Sequence, residues 1–114
     1  MLIKRGDIFY VNLDPTQGSE QAGTRPVLVI QNDVGNEVAP TVIVAPLTTK
    51  AFSKRYPTNV NILQGTAGLK ENSTVLFSQI RTIDKSRLGR KLGHLSSDLM
   101  RQADDALRVS LGLP

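Results

Sequence analysis

The sequence predicts a mainly β fold, in which a small antiparallel sheet curls into a partly open barrel and one α-helix follows at the C-terminus. Short apolar runs rich in β-branched residues recur along most of the chain, with glycine and proline between them. Helical spacing of apolar residues appears only near the C-terminus. Strands that do not alternate with helices indicate an antiparallel sheet rather than βαβ units.

The first three strands are predicted from two different apolar patterns. DIFYVNL (7–13) shows the two-residue alternation of a strand. PVLVIQN (26–32) and TVIVAPL (41–47) are nearly continuous apolar runs, which is typical of strands covered on both faces. We therefore expect these two strands to form the centre of the fold.

Three further strands are predicted after the central pair. TNVNIL (58–63) and STVLFSQI (73–80) read as two strands, joined by QGTAGLKEN (64–72), whose two glycines suit a reversing loop. RLGRKLGHL (87–95) suits a short edge strand, because its charges discourage pairing with another chain.

The C-terminal stretch has the pattern of an amphipathic helix. Leu99, Ala103 and Leu107 recur at helical spacing, and Ser96 stands where a helix-capping side chain is expected. The sequence therefore predicts one helix over about residues 96–111.

Length and composition indicate a single globular domain over residues 1–114. Hydrophobic residues make up 39% of the chain and charged residues 21%, which is ordinary for a protein with a packed core. No internal repeat or low-complexity linker divides the chain. The net charge of +4 and the pI near 9.8 favour an anionic partner, although many basic proteins have none.

Composition also excludes several classes of site. The chain has no cysteine, which rules out disulfides, iron–sulfur clusters and thiolate zinc sites and suggests a reducing compartment. No apolar run is long enough to span a bilayer and the N-terminus lacks a hydrophobic signal region, so a cytoplasmic protein without a membrane partner is expected.

Common catalytic equipment is missing from the sequence. His94 is the only histidine, so one chain can assemble neither a two-histidine ribonuclease site nor a histidine-rich metal site, and a histidine in the turn before the helix is the simpler interpretation. Asp104 and Asp105 lack a spaced carboxylate partner, and GSEQAG (18–23) lacks the lysine of a phosphate-binding loop. We therefore expect no cofactor and no metal.

One arginine stands where a polar loop becomes an apolar strand, in GSEQAGTRPVLVIQND (18–33). Pro26 disfavours a helical backbone at Arg25, so the guanidinium should project from a rigid strand start beside Ser19, Glu20 and Gln21. Two interpretations remain open: Arg25 binds a ligand, or it pairs with Glu20 to hold the loop.

Polar residues also follow two other predicted strands. PLTTK (46–50) and FSQIRT (77–82) supply Thr48, Thr49 and Lys50 from one strand end, and Ser78, Gln79 and Arg81 from the other. If these strand ends share one rim, arginine can grip a phosphodiester through its planar fork while hydroxyl and amide groups add neutral donors. The alternative is that the serine and threonine side chains only satisfy strand-end backbone groups.

Basic residues cluster after these strand ends. Lys50, Lys54 and Arg55 follow the third strand, and a second group surrounds Asp84, comprising Arg81, Lys85, Arg87, Arg90 and Lys91. They form either a surface that follows phosphates or a solvated edge. The chain has few aromatic residues for stacking bases, although Phe9, Tyr10 or Phe52 could serve.

Four blocks of the chain resemble the MazF/PemK family of bacterial toxin endoribonucleases, in its Gram-positive-type MazF branch. They are IKRGDIFYVNLDPTQGSEQAGTRPVLVIQND (3–33), TVIVAPLT (41–48), STVLFSQIRTIDKSRL (73–88) and HLSSDLMRQADDALRVSLGL (94–113). The resemblance covers nearly the whole chain. Phe77 and Ser78 stand within the otherwise matching third block, which leaves the preferred RNA sequence open.

The resemblance implies an SH3-like barrel, a symmetric homodimer, cleavage of single-stranded RNA at a short sequence, and a MazE-like antitoxin whose tail occupies the RNA groove. It also implies that Arg25 and Thr48 are the catalytic pair, with Ser19, Glu20 and Gln79 in supporting roles. The residues expected to contact RNA are Ser19, Gln21, Thr49, Lys50, Ser78, Gln79 and Arg81.

The implied chemistry is attack by the RNA's own 2'-hydroxyl, which needs neither metal nor external water and leaves 2',3'-cyclic phosphate and 5'-hydroxyl ends. Arg25 would stabilise charge on the phosphorane, because a guanidinium is a poor base, and Glu20 is the carboxylate able to accept the proton. The alternatives are a toxin of the same fold that poisons DNA gyrase without catalysis, and a nuclease-dead RNA-binding module.

Overall fold

The mainly β fold is confirmed by a computed structural model, which describes residues 2–114. Within them, seven strands form one antiparallel sheet, accompanied by two α-helices and two short 3-10 turns. The strands are β1 (Asp7–Asn12), β2 (Thr24–Val29), β3 (Thr41–Thr48), β4 (Asn59–Ile62), β5 (Ser73–Leu76), β6 (Arg81–Asp84) and β7 (Leu88–His94). The helices are α1 (Asp33–Val38) and α2 (Ser97–Leu111), and the 3-10 turns span Phe77–Gln79 and Lys85–Arg87.

The eight-residue strand β3 organises the sheet. One of its edges pairs with β2, and the other pairs first with β6 and then, at Leu47 and Thr48, with β5. The path through the sheet is β4-β5-β3-β2-β1-β7, with every pair antiparallel. The sheet path ends at β4 and β7, which do not pair with each other, so the barrel is partly open, as the sequence predicts.

Two apolar clusters lie on opposite faces of the central strands. Ile8, Leu28 and Leu47 belong to the cluster that α2 covers, whereas Phe9 and Val29 belong to the cluster on the other face. Because side chains alternate between faces, a strand buried on both sides needs an apolar residue at nearly every position. This explains the continuous apolar runs of β2 and β3.

Helix α2 matches the predicted helix closely and is fixed at both ends. The Ser96 hydroxyl accepts a hydrogen bond from the Leu99 N–H, and Gly112 closes the helix in the left-handed conformation at φ 69°. Near its C-terminus, the Ser110 hydroxyl donates to the Phe77 carbonyl at 2.7 Å. The helix therefore supports the 3-10 turn that begins at Phe77.

Two segments differ from the predicted elements. Helix α1 was not predicted, because its Asn, Asp and Gly residues resemble a loop. The Asn32 side chain accepts a hydrogen bond from the Gly35 N–H and starts the helix, so β2 ends before Asn32. The strand predicted over 73–80 ends at Leu76, where the chain turns and re-enters the sheet as β6 against β3. Strand β6 was not predicted, because residues 73–80 were expected to form one continuous strand.

The predicted edge strand over 87–95 is confirmed as β7. His94 is its last residue rather than part of a following turn, and its Nδ1 lies 2.8 Å from the buried Asp7 carboxylate. Neither helix of the described residues is long and apolar enough to cross a membrane.

Candidate active site

Arg25 lies at the start of β2 and Thr48 at the end of β3, and these strand ends are neighbours in the sheet. Val27 pairs with Pro46, and the same register continued by two residues sets Arg25 opposite Thr48. The Arg25 Nη1 donates to the Leu47 carbonyl at 3.2 Å and its Nε donates to the Ala22 carbonyl at 2.8 Å. These bonds use two of the five guanidinium N–H groups, so three remain for a ligand. The predicted juxtaposition is present.

Thr48 lies at the last position of β3 and is only 9% exposed. Its hydroxyl oxygen accepts a hydrogen bond from the Lys50 N–H at 3.2 Å. A hydroxyl that accepts a bond keeps its own proton to donate elsewhere. On the neighbouring strand β5, Thr74 pairs with Thr48, and the Thr74 hydroxyl donates to Asn61. Thr48 is therefore held rigidly with one donor available.

Glu20 lies on the exposed loop and stabilises a local turn. Its carboxylate accepts from the Gln17 N–H at 2.6 Å, while the Glu20 N–H donates to the Gln17 carbonyl. None of the ion pairs among residues 2–114 joins Glu20 to Arg25. The ion pair between Glu20 and Arg25, which was one of the two interpretations left open by the sequence, is therefore not formed.

The side chain of Gln79 fixes the loop that carries Glu20. Its Oε1 accepts from the Gln21 N–H at 2.9 Å, and its Nε2 donates to the Ser19 carbonyl at 3.1 Å. Both ends of the amide are therefore used on the loop backbone. The sequence did not predict this clamp, and the RNA contacts expected of Ser19, Gln21 and Gln79 stay a prediction.

Two arginines that the sequence places in a basic cluster anchor the base of the same loop. Arg81 donates to the Leu13 carbonyl at 3.0 Å, and Arg87 donates to the carbonyls of Asn12 and Asp14. We define residues 77–87 as the platform and residues 13–23 as the anchored loop. Sequence reasoning missed this anchoring, since a guanidinium bonded to a distant carbonyl leaves no pattern along the chain.

Of the ten candidate residues, five line the smaller of two cavities and two line the larger one, whereas Ser19, Arg25 and Thr48 line neither. The smaller one, of about 330 Å³, is lined by Leu13, Glu20, Gln21, Pro46, Ser78, Gln79, Ile80 and Arg81. The larger one, of about 1000 Å³, begins at Thr49 and Lys50 and continues along β4. Because Pro46 lines one cavity and Thr49 the other, Thr48 lies on the chain between them.

Two exposed carboxyl groups have a lowered pKa. Hydrogen bonds from the side chain and the backbone N–H of Ser86 lower the pKa of Asp84, which caps the 3-10 turn carrying Arg87. At α1, a hydrogen bond from the Arg5 backbone N–H lowers the pKa of Asp33. Among residues 2–114, no group of three or more histidine, aspartate or glutamate side chains is arranged to hold a metal ion.

Comparisons with known proteins agree in family and fold. A family model described as PemK-like, MazF-like toxin of type II toxin-antitoxin system matches residues 4–111. Endoribonuclease EndoA of Bacillus subtilis is 49% identical over 113 residues, which cover 99% of this chain and 97% of that protein.

Solved structures of similar proteins cover nearly the whole chain. MazF from Deinococcus radiodurans superposes with a TM-score of 0.83 at 29% identity, covering 99% of both chains. A mycobacterial endoribonuclease in complex with its cognate antitoxin superposes with a TM-score of 0.78 at 26% identity, covering 99% of this chain and 96% of the other.

Proposed function

Because the chain belongs to the PemK-like, MazF-like family of type II toxin–antitoxin toxins, we propose that it is a sequence-specific endoribonuclease. Its substrate is single-stranded RNA, and cleavage needs no metal. The observation that carries the proposal is the Arg25 guanidinium, held on the Leu47 carbonyl directly beside the buried Thr48. A permanently charged fork next to a fixed hydroxyl suits a phosphodiester.

In the proposed reaction the 2'-hydroxyl of the substrate attacks the adjacent phosphorus and displaces the 5'-oxygen of the next nucleotide. Arg25 places two N–H groups on the non-bridging oxygens, where negative charge accumulates in the phosphorane. Thr48 donates its remaining proton to one of the same oxygens. Both donors are positioned by strands before substrate binds, so little reorganisation is needed during the reaction.

The proton of the 2'-hydroxyl is assigned to Glu20. It is the carboxylate that lines the smaller cavity beside the strand ends, and the Gln17 N–H holds one of its oxygens while the other can accept the proton. Arg25 stabilises the leaving 5'-oxygen with an N–H hydrogen bond and keeps its own proton, while the 5'-oxygen takes up a proton from solvent and Glu20 releases the proton that it accepted to solvent. The products are a 2',3'-cyclic phosphate and a 5'-hydroxyl.

The test is incubation of the purified protein with mixed RNA in EDTA, followed by mapping of the cut ends. Cleavage at a recurring short sequence with cyclic phosphate ends is expected, and Arg25→Ala protein prepared in parallel controls for contaminating nucleases. A strict requirement for magnesium contradicts the mechanism. Inhibition of DNA gyrase supercoiling without RNA products would instead identify the non-catalytic toxin.

The proposal extends to partners. We infer that the protein acts in the cytoplasm, that a MazE-like antitoxin blocks its RNA groove, and that two copies form a homodimer. Exposed apolar residues near the C-terminus, Val109, Leu111 and Leu113, support pairing because association would remove them from water. Sedimentation at micromolar concentration tests the dimer, and a monomer there would contradict it.

A further inference from the structure

The larger cavity continues directly from the catalytic strand end. It starts at Thr49, runs between the β3–β4 connection and the exposed side of β4, and reaches Thr74, the partner of Thr48 in the sheet. With a volume of about 1000 Å³ it is about three times larger than the cavity beside Glu20. We call it the aromatic groove, after Phe52 and Tyr56 in its wall.

The charge of the aromatic groove has one sign. Lys50, Lys54 and Arg55 line it, and no aspartate or glutamate does. Its other polar groups are the amide and hydroxyl side chains of Asn59, Asn61, Asn72, Ser73, Thr74 and Gln102, among others. Such a lining favours an anionic ligand that also offers hydrogen-bonding groups.

The rings of Phe52 and Tyr56 form a pair in this wall. Their centroids are 5.9 Å apart at an interplanar angle of 78°, and the Lys50 ammonium lies 5.4 Å from the centre of the Phe52 ring. Tyr56 remains 48% exposed although its ring contacts Phe52. Its ring is therefore open to a planar ligand.

The other aromatic residues of the chain do not offer such a surface. Phe9 and Phe77 are at most 1% exposed, because they pack in the two apolar clusters. The Tyr10 ring lies under the guanidinium of Arg90, 5.4 Å from the ring centre, at the β1–β7 end of the sheet. Of the three stacking residues considered from sequence, only Phe52 lines the cavity that begins at Thr49, whereas Phe9 and Tyr10 lie on β1 opposite Val27 and Pro26.

We propose that the aromatic groove binds the unpaired nucleotides that flank the scissile linkage, with bases stacked on Tyr56 and Phe52 and phosphates against Lys50, Lys54 and Arg55. This subsite rests on the proposed function, since it continues the path of the substrate away from Arg25 and Thr48. Stacking tolerates any base, because every base has a π face. The groove therefore supplies affinity for flanking single strand.

The experiment uses oligonucleotides that contain the mapped cut site. In a substrate series, each flanking nucleotide in turn is replaced by an abasic one, which keeps the phosphate and removes the base. Tyr56→Leu and Phe52→Leu are expected to reduce kcat/KM on the intact substrate about 5- to 100-fold, mainly through KM. On the substrate that lacks the stacked base, the same variants should show no further loss of kcat/KM.

Controls separate stacking from folding. Tyr56→Phe keeps the ring and restores kcat/KM relative to Tyr56→Leu. Val38→Ala shortens an exposed apolar side chain of α1 that lines neither cavity, and it leaves cleavage of every substrate unchanged.

Three results would overturn the subsite. The first is that the leucine variants cleave intact RNA like the wild type, and the second is that they lose equal kcat/KM on intact and abasic substrates. The third is that a glutamate-rich peptide shields Tyr56 from solvent while RNA leaves it accessible. The last would assign the groove to a protein. Absence of cleavage by the wild-type protein would refute the proposed function instead, so the two failures are distinguishable.

Discussion

The two connections that flank Arg25 and Thr48 are held in different ways. The anchored loop, residues 13–23, is fixed by polar contacts with distant side chains, since Gln79, Arg81 and Arg87 all bond its backbone. The β3–β4 connection receives no such support: in the described part of the chain, no side chain outside residues 48–58 forms a hydrogen bond with residues 49–57. Its internal contacts are Phe52 against Tyr56 and Lys50.

This difference matches two tasks at one substrate. A catalytic carboxylate must be placed to within a fraction of an ångström, and directional hydrogen bonds to the backbone of its loop achieve that. A surface for flexible single strands gains from rings and charges that can adjust to different bases. We therefore expect changes around the anchored loop to alter kcat, and changes in the aromatic groove to alter KM.

The largest effect is expected where the two connections meet. Arg25→Ala should lower kcat about 10²- to 10³-fold, because it removes a preorganised donor from the transition state. Arg25→Lys should recover little, since an ammonium lacks the planar fork. Single-turnover cleavage and urea unfolding measured together check this. A cleavage rate close to the wild type, in a folded protein, removes Arg25 from the mechanism.

Release of the anchored loop should have the next largest effect. Gln79→Ala removes both bonds of the clamp, and we expect kcat to fall about 10-fold while KM changes little, because Glu20 becomes less well placed. Gln79→Glu keeps an acceptor for the Gln21 N–H, so its kcat should lie between those of the wild type and Gln79→Ala.

Hydrogen exchange at Gln21 supplies the independent readout of the clamp. Exchange should become faster in Gln79→Ala in proportion to the loss of kcat. Faster exchange with unchanged kcat would show that the clamp does not serve the reaction, and a rise in KM alone would return Gln79 to the RNA contacts predicted from sequence.

A smaller effect should distinguish the two basic regions by salt dependence. Arg55→Gln in the aromatic groove should reduce the slope of log KM against log salt by about 0.7, the value for one phosphate contact on a single strand. Arg90→Gln, on the opposite edge of the sheet, should leave the slope unchanged. Equal changes in both variants would mean that RNA also follows the basic residues of β7, as one interpretation of the sequence allows.

The sequence predicted what depends on local pattern. Alternation and apolar continuity identify the strands around β3, and capping by Ser96 with helical spacing identifies α2, because these signals arise from residues near one another in the chain. The meeting of Arg25 and Thr48 was also predictable, since it follows from two strand ends and the Arg-Pro step.

The sequence could not predict what depends on long-range polar contacts. The RNA contact of Arg81 stays a prediction, but the bond from its guanidinium to the carbonyl of Leu13, 68 positions away in the chain, was not predicted. Helix α1 was missed because its residues have weak helical propensity and the Asn32 cap decides the outcome. In both cases a single hydrogen bond, invisible in periodicity, determines the local structure.

The smallest expected effect concerns Asp84, which caps the turn that presents Arg87 to the anchored loop. Hydrogen bonds from Ser86 lower its pKa in the folded protein, so its stabilisation is present above the ordinary carboxyl pKa of about 4 and is lost as pH falls through the lowered value. The protection factors of amides in residues 13–23, which correct for the slower intrinsic exchange in acid, should therefore fall on acidification in the wild type. Asp84→Asn should flatten this response, whereas Asp33→Asn, whose carboxylate supports α1 instead, should leave it intact. An identical acid response in all three proteins would show that the anchored loop does not depend on the cap of the platform.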